Sequence, residues 1–136
     1  MRGDEPMDIL LVDDHAETRE ELVSLIEEQK DLTVVGQAAG GKEAVQRAED
    51  LRPDLIVMDI NMPDMNGIEA TREIRASDPD VLILALSNHT GPDLVKAALD
   101  AGASGYVRKD QAYEEIIPAI RAVATGKQYI GTRVNE

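Results

Sequence analysis

The chain has 136 residues, with 14 Lys+Arg against 27 Asp+Glu and a formal net charge of −13. Its length suits one domain able to bury roughly two-thirds of its unfolded surface, and the absence of Cys excludes a disulfide framework, thiol catalysis and Cys-ligated zinc. So acidic a surface disfavours direct contact with nucleic acid, and a chain with 3 Tyr, no Phe and no Trp has no platform for stacking bases.

No run approaches the ~18 apolar residues of a membrane span, and Met1–Pro6 lacks the apolar stretch of a secretory signal, so the cytoplasm is the expected compartment and no membrane partner is expected. Short β-branched apolar runs then alternate with longer stretches of helical period. The strand-like runs are Asp8–Val12, Leu32–Ala38, Leu55–Met58, Val81–Leu86 and Ser104–Val107. In the first helical stretch Leu22, Leu25 and Ile26 share a face, with Glu20, Glu21, Glu27 and Glu28 largely off it. Later helices are predicted at Lys42–Asp50, Ile68–Ser77, Asp93–Ala101 and about Ala112–Thr125, the last with Ile116, Ile120, Val123 and Ala124 as its stripe. A βα unit repeated in this way predicts an α/β fold with a parallel sheet covered on both faces.

The runs DILLV, LIVM and VLILAL are almost continuously apolar, as strands buried on both faces must be. LTVVGQA and SGYV are weaker and contain Gly. The second and fifth strands are therefore expected at the edges, which with right-handed crossovers gives a doubly wound, five-stranded sheet of order 2-1-3-4-5 and five helices. Pro118 falls inside the last helix and predicts a kink or a late start. Residues 1–6 read as an N-terminal extension, 7–126 as the domain, and 127–136 as a loosely held tail or the start of a linker.

Each strand runs into a polar residue: the first into Asp13 and Asp14, the third into Asp59, the fourth into Ser87, the fifth near Lys109. In an open parallel sheet these ends share the carboxyl edge, where ligands bind at the point of reversal in strand order. Convergent carboxylates raise each other's pKa or recruit a cation, and carboxylates beside a phosphoryl group suit Mg²⁺. A carboxylate nucleophile, a cation, a lysine and a hydroxyl are the parts needed to accept a phosphoryl group. Singly, each residue has a plainer reading: Asp13, Asp14 or Ser87 as a helix cap, Asp59 as part of the turn Asn61–Gly67, Lys109 as a surface lysine. Together those readings demand independent coincidences on one edge of one sheet.

At these positions the sequence resembles the receiver domain of two-component response regulators, from about Asp8 to Gly126. The residues that carry the likeness are LLVDDH, IVMDINMPDMNG, LALS and SGYVRKD. LVDDH, GYVRKD and AIRAVATGKQYI further resemble the NarL/FixJ class of transcriptional regulators. The resemblance implies the flavodoxin-like fold and a role as phosphoacceptor, with at most self-phosphorylation from small donors and slow autodephosphorylation as activity of its own. It implies that Asp59 is phosphorylated by a sensor histidine kinase, and that Asp13, Asp14, Asp59 and the backbone carbonyl of Asn61 hold Mg²⁺, with Mn²⁺ as the alternative ion. Lys109 and Ser87 would bind the phosphoryl oxygens, with Ser87 and Tyr106 as the switch pair. Asn61, Asn88 and His89 flank the site and would modulate phosphoryl access and lifetime.

The implied readout is a change in the face formed by the fourth helix, fifth strand and fifth helix. It would control a homodimer through that face or through the first and fifth helices, or an output domain. DNA would be reached through a C-terminal output domain, and the segment is expected to be an excised receiver rather than a stand-alone adaptor or phosphorelay intermediate. Two competing signals are weak. Gly36–Lys42 approaches a P-loop pattern, but Glu43 stands where Ser or Thr must meet Mg²⁺. A phosphohydrolase of the haloacid dehalogenase type needs an acid two residues past the nucleophile, where this chain has Asn61.

Overall fold

The computed structural model describes residues 6–62, 66–88 and 91–131. His89, expected near the site, lies outside them. The strands are β1 (Met7–Val12), β2 (Leu32–Ala38), β3 (Leu55–Asp59), β4 (Leu82–Ser87), β5 (Gly105–Arg108) and β6 (Tyr129–Ile130). The helices between them are α1 (Ala16–Glu27), α2 (Gly41–Leu51), α3 (Gly67–Ser77), α4 (Pro92–Ala101) and α5 (Ala112–Ala124), the last preceded by a 3₁₀ turn at Lys109–Gln111.

All strand pairs are parallel and the order is β2-β1-β3-β4-β5-β6. The reversal in order between β1 and β3 opens the crevice at the carboxyl edge. The continuous apolar runs are explained by burial on two sides, because successive side chains alternate across a strand. Leu10, Val12, Ile56, Met58, Ile83 and Ala85 face α2, α3 and α4. Ile9, Leu11, Leu55, Val57, Leu84 and Leu86 face α1 and α5.

Two expectations need correction. Within the stretch expected to be a loose tail, Tyr129–Ile130 forms a sixth strand of the sheet. Tyr129–Ile130 pairs with β5 in the register Gly105↔Tyr129 and Tyr106↔Ile130, so β5 is not an edge. Tyr129 Oη also donates to Glu115 Oε1 at 3.1 Å, tying β6 to α5. The second correction concerns Pro118, which does not delay the last helix: α5 runs from Ala112 to Ala124 through it. Pro118 is on the exposed side, where water can satisfy the carbonyl one turn earlier that its missing N–H leaves free.

Candidate functional site

The carboxyl ends of β1, β3, β4 and β5 deliver the site. Asp13 and Asp14 follow β1 directly, Asp59 and Ser87 end β3 and β4, and Lys109 opens the 3₁₀ turn after β5. Asp13, Asp59 and Ser87 are wholly buried. The Lys109 ammonium draws the first and third strands' acids together. Its Nζ donates to Asp59 Oδ2 at 3.1 Å and to Asp13 Oδ1 at 3.2 Å, and stands 3.0 Å from Asp13 Oδ2 as an ion pair. Residues 96 and 50 positions apart in sequence are thereby in direct contact.

Backbone groups hold the acids in place. The Asn61 N–H donates to Asp59 Oδ1 at 2.9 Å, and the His15 N–H donates to Asp13 Oδ1 at 2.8 Å. The close approach of α3 to β3 depends on Gly67: a Cβ there would stand 2.3 Å from the Asp59 carbonyl oxygen. Asn66 caps the same helix, accepting from the Glu69 N–H at 3.0 Å while its amide donates to Glu69 Oε1 at 2.9 Å.

Ser87 and Asn61 form a second arm. Asn61 Oδ1 accepts from Ser87 Oγ at 3.3 Å and from the Asn88 N–H at 2.9 Å. The Asn61 side chain is thus turned to the loop after β4. Tyr106 is wholly buried among the residues facing α2–α4 and hydrogen-bonded to Ser87. Burial pushes its hydroxyl pKa up, and the Ser87 bond works against that rise.

Two residues beside the site were not singled out from the sequence. His15 Nδ1 lies 3.1 Å from Asp14 Oδ1, 3.3 Å from Asp13 Oδ1 and 3.3 Å from Lys109 Nζ. Arg19 donates from a guanidinium nitrogen to the Asp13 carbonyl at 2.7 Å and from Nε to Gln37 Oε1 at 3.2 Å, strapping the turn after β1 to β2. The available signal was position: a helix starting straight after the acidic pair puts its first turn over the pair.

Burial pushes the Asp59 pKa up to about 6, helped by the neighbouring Asp13 charge and opposed by the Asn61 N–H and by Lys109. Burial works to lower the Lys109 pKa, but its bonds to Asp13 and Asp59 outweigh this and leave it above the ordinary value. One ammonium pairs with two of the three carboxylates: Asp13 Oδ2 has the Lys109 ion pair but no hydrogen bond, and Asp14 Oδ1 is buried without a hydrogen bond. Ligand atoms of Asp13, Asp14, His15 and Asp59 lie within 4.8 Å of one another. Three clustered carboxylates with a single ammonium among them fit a hard divalent cation.

Comparison with known proteins finds response regulators. The chain is 39% identical over 128 residues to the response regulator UvrY of Escherichia coli (strain K12), covering 94% of this chain and 59% of UvrY. It therefore spans somewhat under two-thirds of that relative's length. A solved LuxR-family two-component response regulator from Aurantimonas sp. SI85-9A1 superposes with a TM-score of 0.87 at 40% identity, covering 92% of this chain and 89% of the other. The crystal structure of a CheX–CheY–BeF3–Mg+2 complex from Borrelia burgdorferi matches with a TM-score of 0.83 at 26% identity, covering 88% and 90%. The response regulator receiver domain family matches residues 9–121, and the sheet-edge site falls within that span. The chain belongs to the response regulator receiver domain family.

Proposed function

We propose that Asp59 accepts a phosphoryl group from the phosphohistidine of a sensor kinase in a Mg²⁺-dependent reaction, and that the modified carboxylate sets the state of a transcriptional response regulator. The observation that carries this reading is the Lys109 ammonium shared between Asp59 and Asp13 at the carboxyl edge. It leaves Asp59 Oδ1 held by a single N–H, with Lys109 beside it to meet incoming negative charge. An oxygen of Asp59 attacks phosphorus, and the P–N bond breaks with its electron pair returning to the imidazole nitrogen. Lys109 stabilises the phosphoryl oxygens, and Ser87 gives up Asn61 to donate to one of them. Asp13, Asp14, Asp59 and the Asn61 carbonyl would hold Mg²⁺, which would supply the charge neutralisation that lets two anions meet. The Borrelia complex, which contains Mg²⁺ and a beryllofluoride, supports this assignment by likeness.

Phosphorylation adds about −1 to −2 of charge and new acceptor oxygens at a buried site. When Ser87 moves, it leaves both Asn61 and the Tyr106 hydroxyl, and the loop after β4 loses two of its ties. The faces of α4 and β5 follow, which biases a two-state equilibrium. Of the two candidate dimer surfaces, the α1–α5 face is favoured, because β6 takes up the edge of β5 while Tyr113 on α5 is 64% exposed. Asn88, exposed beside Ser87, would tune how long the phosphoryl group survives, with His89 next to it in sequence. DNA is reached by an output domain rather than by this acidic segment.

Intact-mass spectrometry after incubation with acetyl phosphate and Mg²⁺ tests the reading. Wild type gains one phosphoryl group, whereas Asp59→Asn and the metal-free protein gain none. Equal labelling of wild type and Asp59→Asn overturns it.

A further inference from the structure

The site contains one nitrogen ligand whose geometry fits a cation and which the phosphoacceptor chemistry does not require. We propose that His15 is a direct ligand of the site's divalent cation and biases the site toward Mn²⁺ and similar nitrogen-accepting ions over Mg²⁺. This rests on the cation site of the proposed function and extends it to a specificity-determining residue.

His15 is the first residue past the acidic pair and stands at the N-cap of α1 in an extended conformation, φ −99° and ψ 114°. An N-cap side chain ordinarily accepts from the helix. The His15 side chain makes no such bond. Its Nδ1 lies over the carboxylates instead, 3.1 Å from Asp14 Oδ1 and 3.3 Å from Asp13 Oδ1. In an octahedron with ligands about 2.1 Å from the ion, neighbouring ligand atoms stand about 3 Å apart. The two His15 distances match such edges, and the pair of oxygens they reach belongs to the same acidic pair.

The electrostatics agree. Asp14 Oδ1 is buried and makes no hydrogen bond, and the His15 ring nitrogen is 3.1 Å away. Asp13 Oδ2, on a wholly buried side chain, has the Lys109 ion pair at 3.0 Å but no hydrogen bond. Lys109 Nζ lies 3.3 Å from the same ring nitrogen, so His15 Nδ1 stands among the charged groups of the site rather than in solvent. Neighbouring lone pairs of this kind are what a shared cation satisfies. The rest of the His15 side chain is 61% exposed, so the ring adjusts by a small rotation without repacking the core.

The consequence is selectivity. Mg²⁺ prefers hard oxygen ligands and water and gains little from an imidazole, whereas affinity for a nitrogen donor rises from Mn²⁺ along the first-row series. His15 therefore strengthens Mn²⁺ binding and leaves Mg²⁺ nearly unchanged.

Calorimetric titration of the protein with MgCl₂ and, separately, MnCl₂ tests this without any phosphodonor. The proteins compared are wild type, His15→Ala, His15→Ser and Asp14→Asn, Ser being a good N-cap that keeps α1 intact. Both His15 variants should weaken Mn²⁺ binding about tenfold and change Mg²⁺ binding by less than about twofold. Asp14→Asn should weaken both ions. Pulsed electron paramagnetic resonance of the Mn²⁺ complex, made with ¹⁵N-histidine, gives a direct reading: nitrogen coupling in wild type that is lost in both His15 variants. The chain has 2 His, so this loss assigns the ligand. Absence of coupling in wild type, unchanged Mn²⁺ affinity in the variants, or equal loss for both ions overturns the proposal. Failure of wild type to bind either ion would instead remove the cation site itself, and the role of His15 with it.

Discussion

Asp59 is ionised at neutral pH in surroundings that penalise its charge. Burial raises its pKa from the ordinary 3.8 to about 6, so the folded protein binds this proton more tightly than the unfolded chain does. A group raised in this way stabilises the fold fully below its unfolded pKa, and that contribution is lost as pH rises through the folded value. At pH 7 without metal, the Asp59 charge therefore costs stability. Asp59→Asn removes the charge and leaves Lys109 paired with Asp13. The variant should be more stable than wild type by on the order of 2 kcal/mol at pH 7 in metal-free buffer. The gain should shrink between pH 6 and 4 and vanish below about 4, which urea denaturation at several pH values will read. A gain that persists unchanged at pH 3.5 would contradict the burial argument. At this scale Asp13, Asp14, Asp59, Ser87 and Lys109 were legible because each ends a strand or follows one. His15 and Arg19 were not, because their placement depends on how α1 begins and no strand end points to them.

Among the elements, the junction between β3 and α3 is the tightest part of the site. A Cβ at position 67 would lie 2.3 Å from the Asp59 carbonyl oxygen and 2.6 Å from Ile60 Cα, contacts with backbone that a rotamer change cannot relieve. Gly67→Ala must push α3 outward, so it should cost about 1–3 kcal/mol by overpacking and also slow phosphoryl uptake. Thermal denaturation together with the acetyl phosphate assay will measure both, and a fully active, fully stable variant would show that α3 yields freely. The strands and helices themselves were readable because their apolar periods are strong and long. β6 was not, since two residues give no alternation to detect. What holds it is specific: the Gly131 N–H donates to the Tyr106 carbonyl at 2.8 Å, the Tyr129 N–H to the Ser104 carbonyl at 3.3 Å, and Tyr129 Oη to Glu115. Glu115 faces inward and is buried, which a helical stripe read for apolar residues passes over. The late start expected at Pro118 failed for the opposite reason: a local rule was offset by exposure, which single-residue propensity does not contain.

The whole molecule carries a net charge of −13, and that charge decides how it can associate. Glu20, Glu21, Glu27 and Glu28 line the exposed side of α1, so a symmetric dimer through α1 and α5 brings like charges together. The proposed phosphorylation would add further negative charge, and so would not promote the dimer by long-range electrostatics. It would act through local shape, by moving Ser87, Tyr106 and the elements around them. The apolar part of that face includes Tyr113, beside the groove that runs between α1 and the start of α5. Two opposing terms then set the equilibrium: burial of Tyr113 and its surroundings, independent of salt, and repulsion between the acidic faces, screened over about 10 Å at 0.1 M salt. Dimerisation of the acetyl phosphate-treated protein should therefore strengthen as NaCl is raised from about 0.05 to 0.5 M, where the screening length falls severalfold. Tyr113→Ala should weaken it by about tenfold at every salt concentration, as loss of an aromatic interface anchor does. Sedimentation velocity across that range reads both effects. Association that weakens with salt would place the contact on a surface of opposite charges, and would move the dimer off the α1–α5 face.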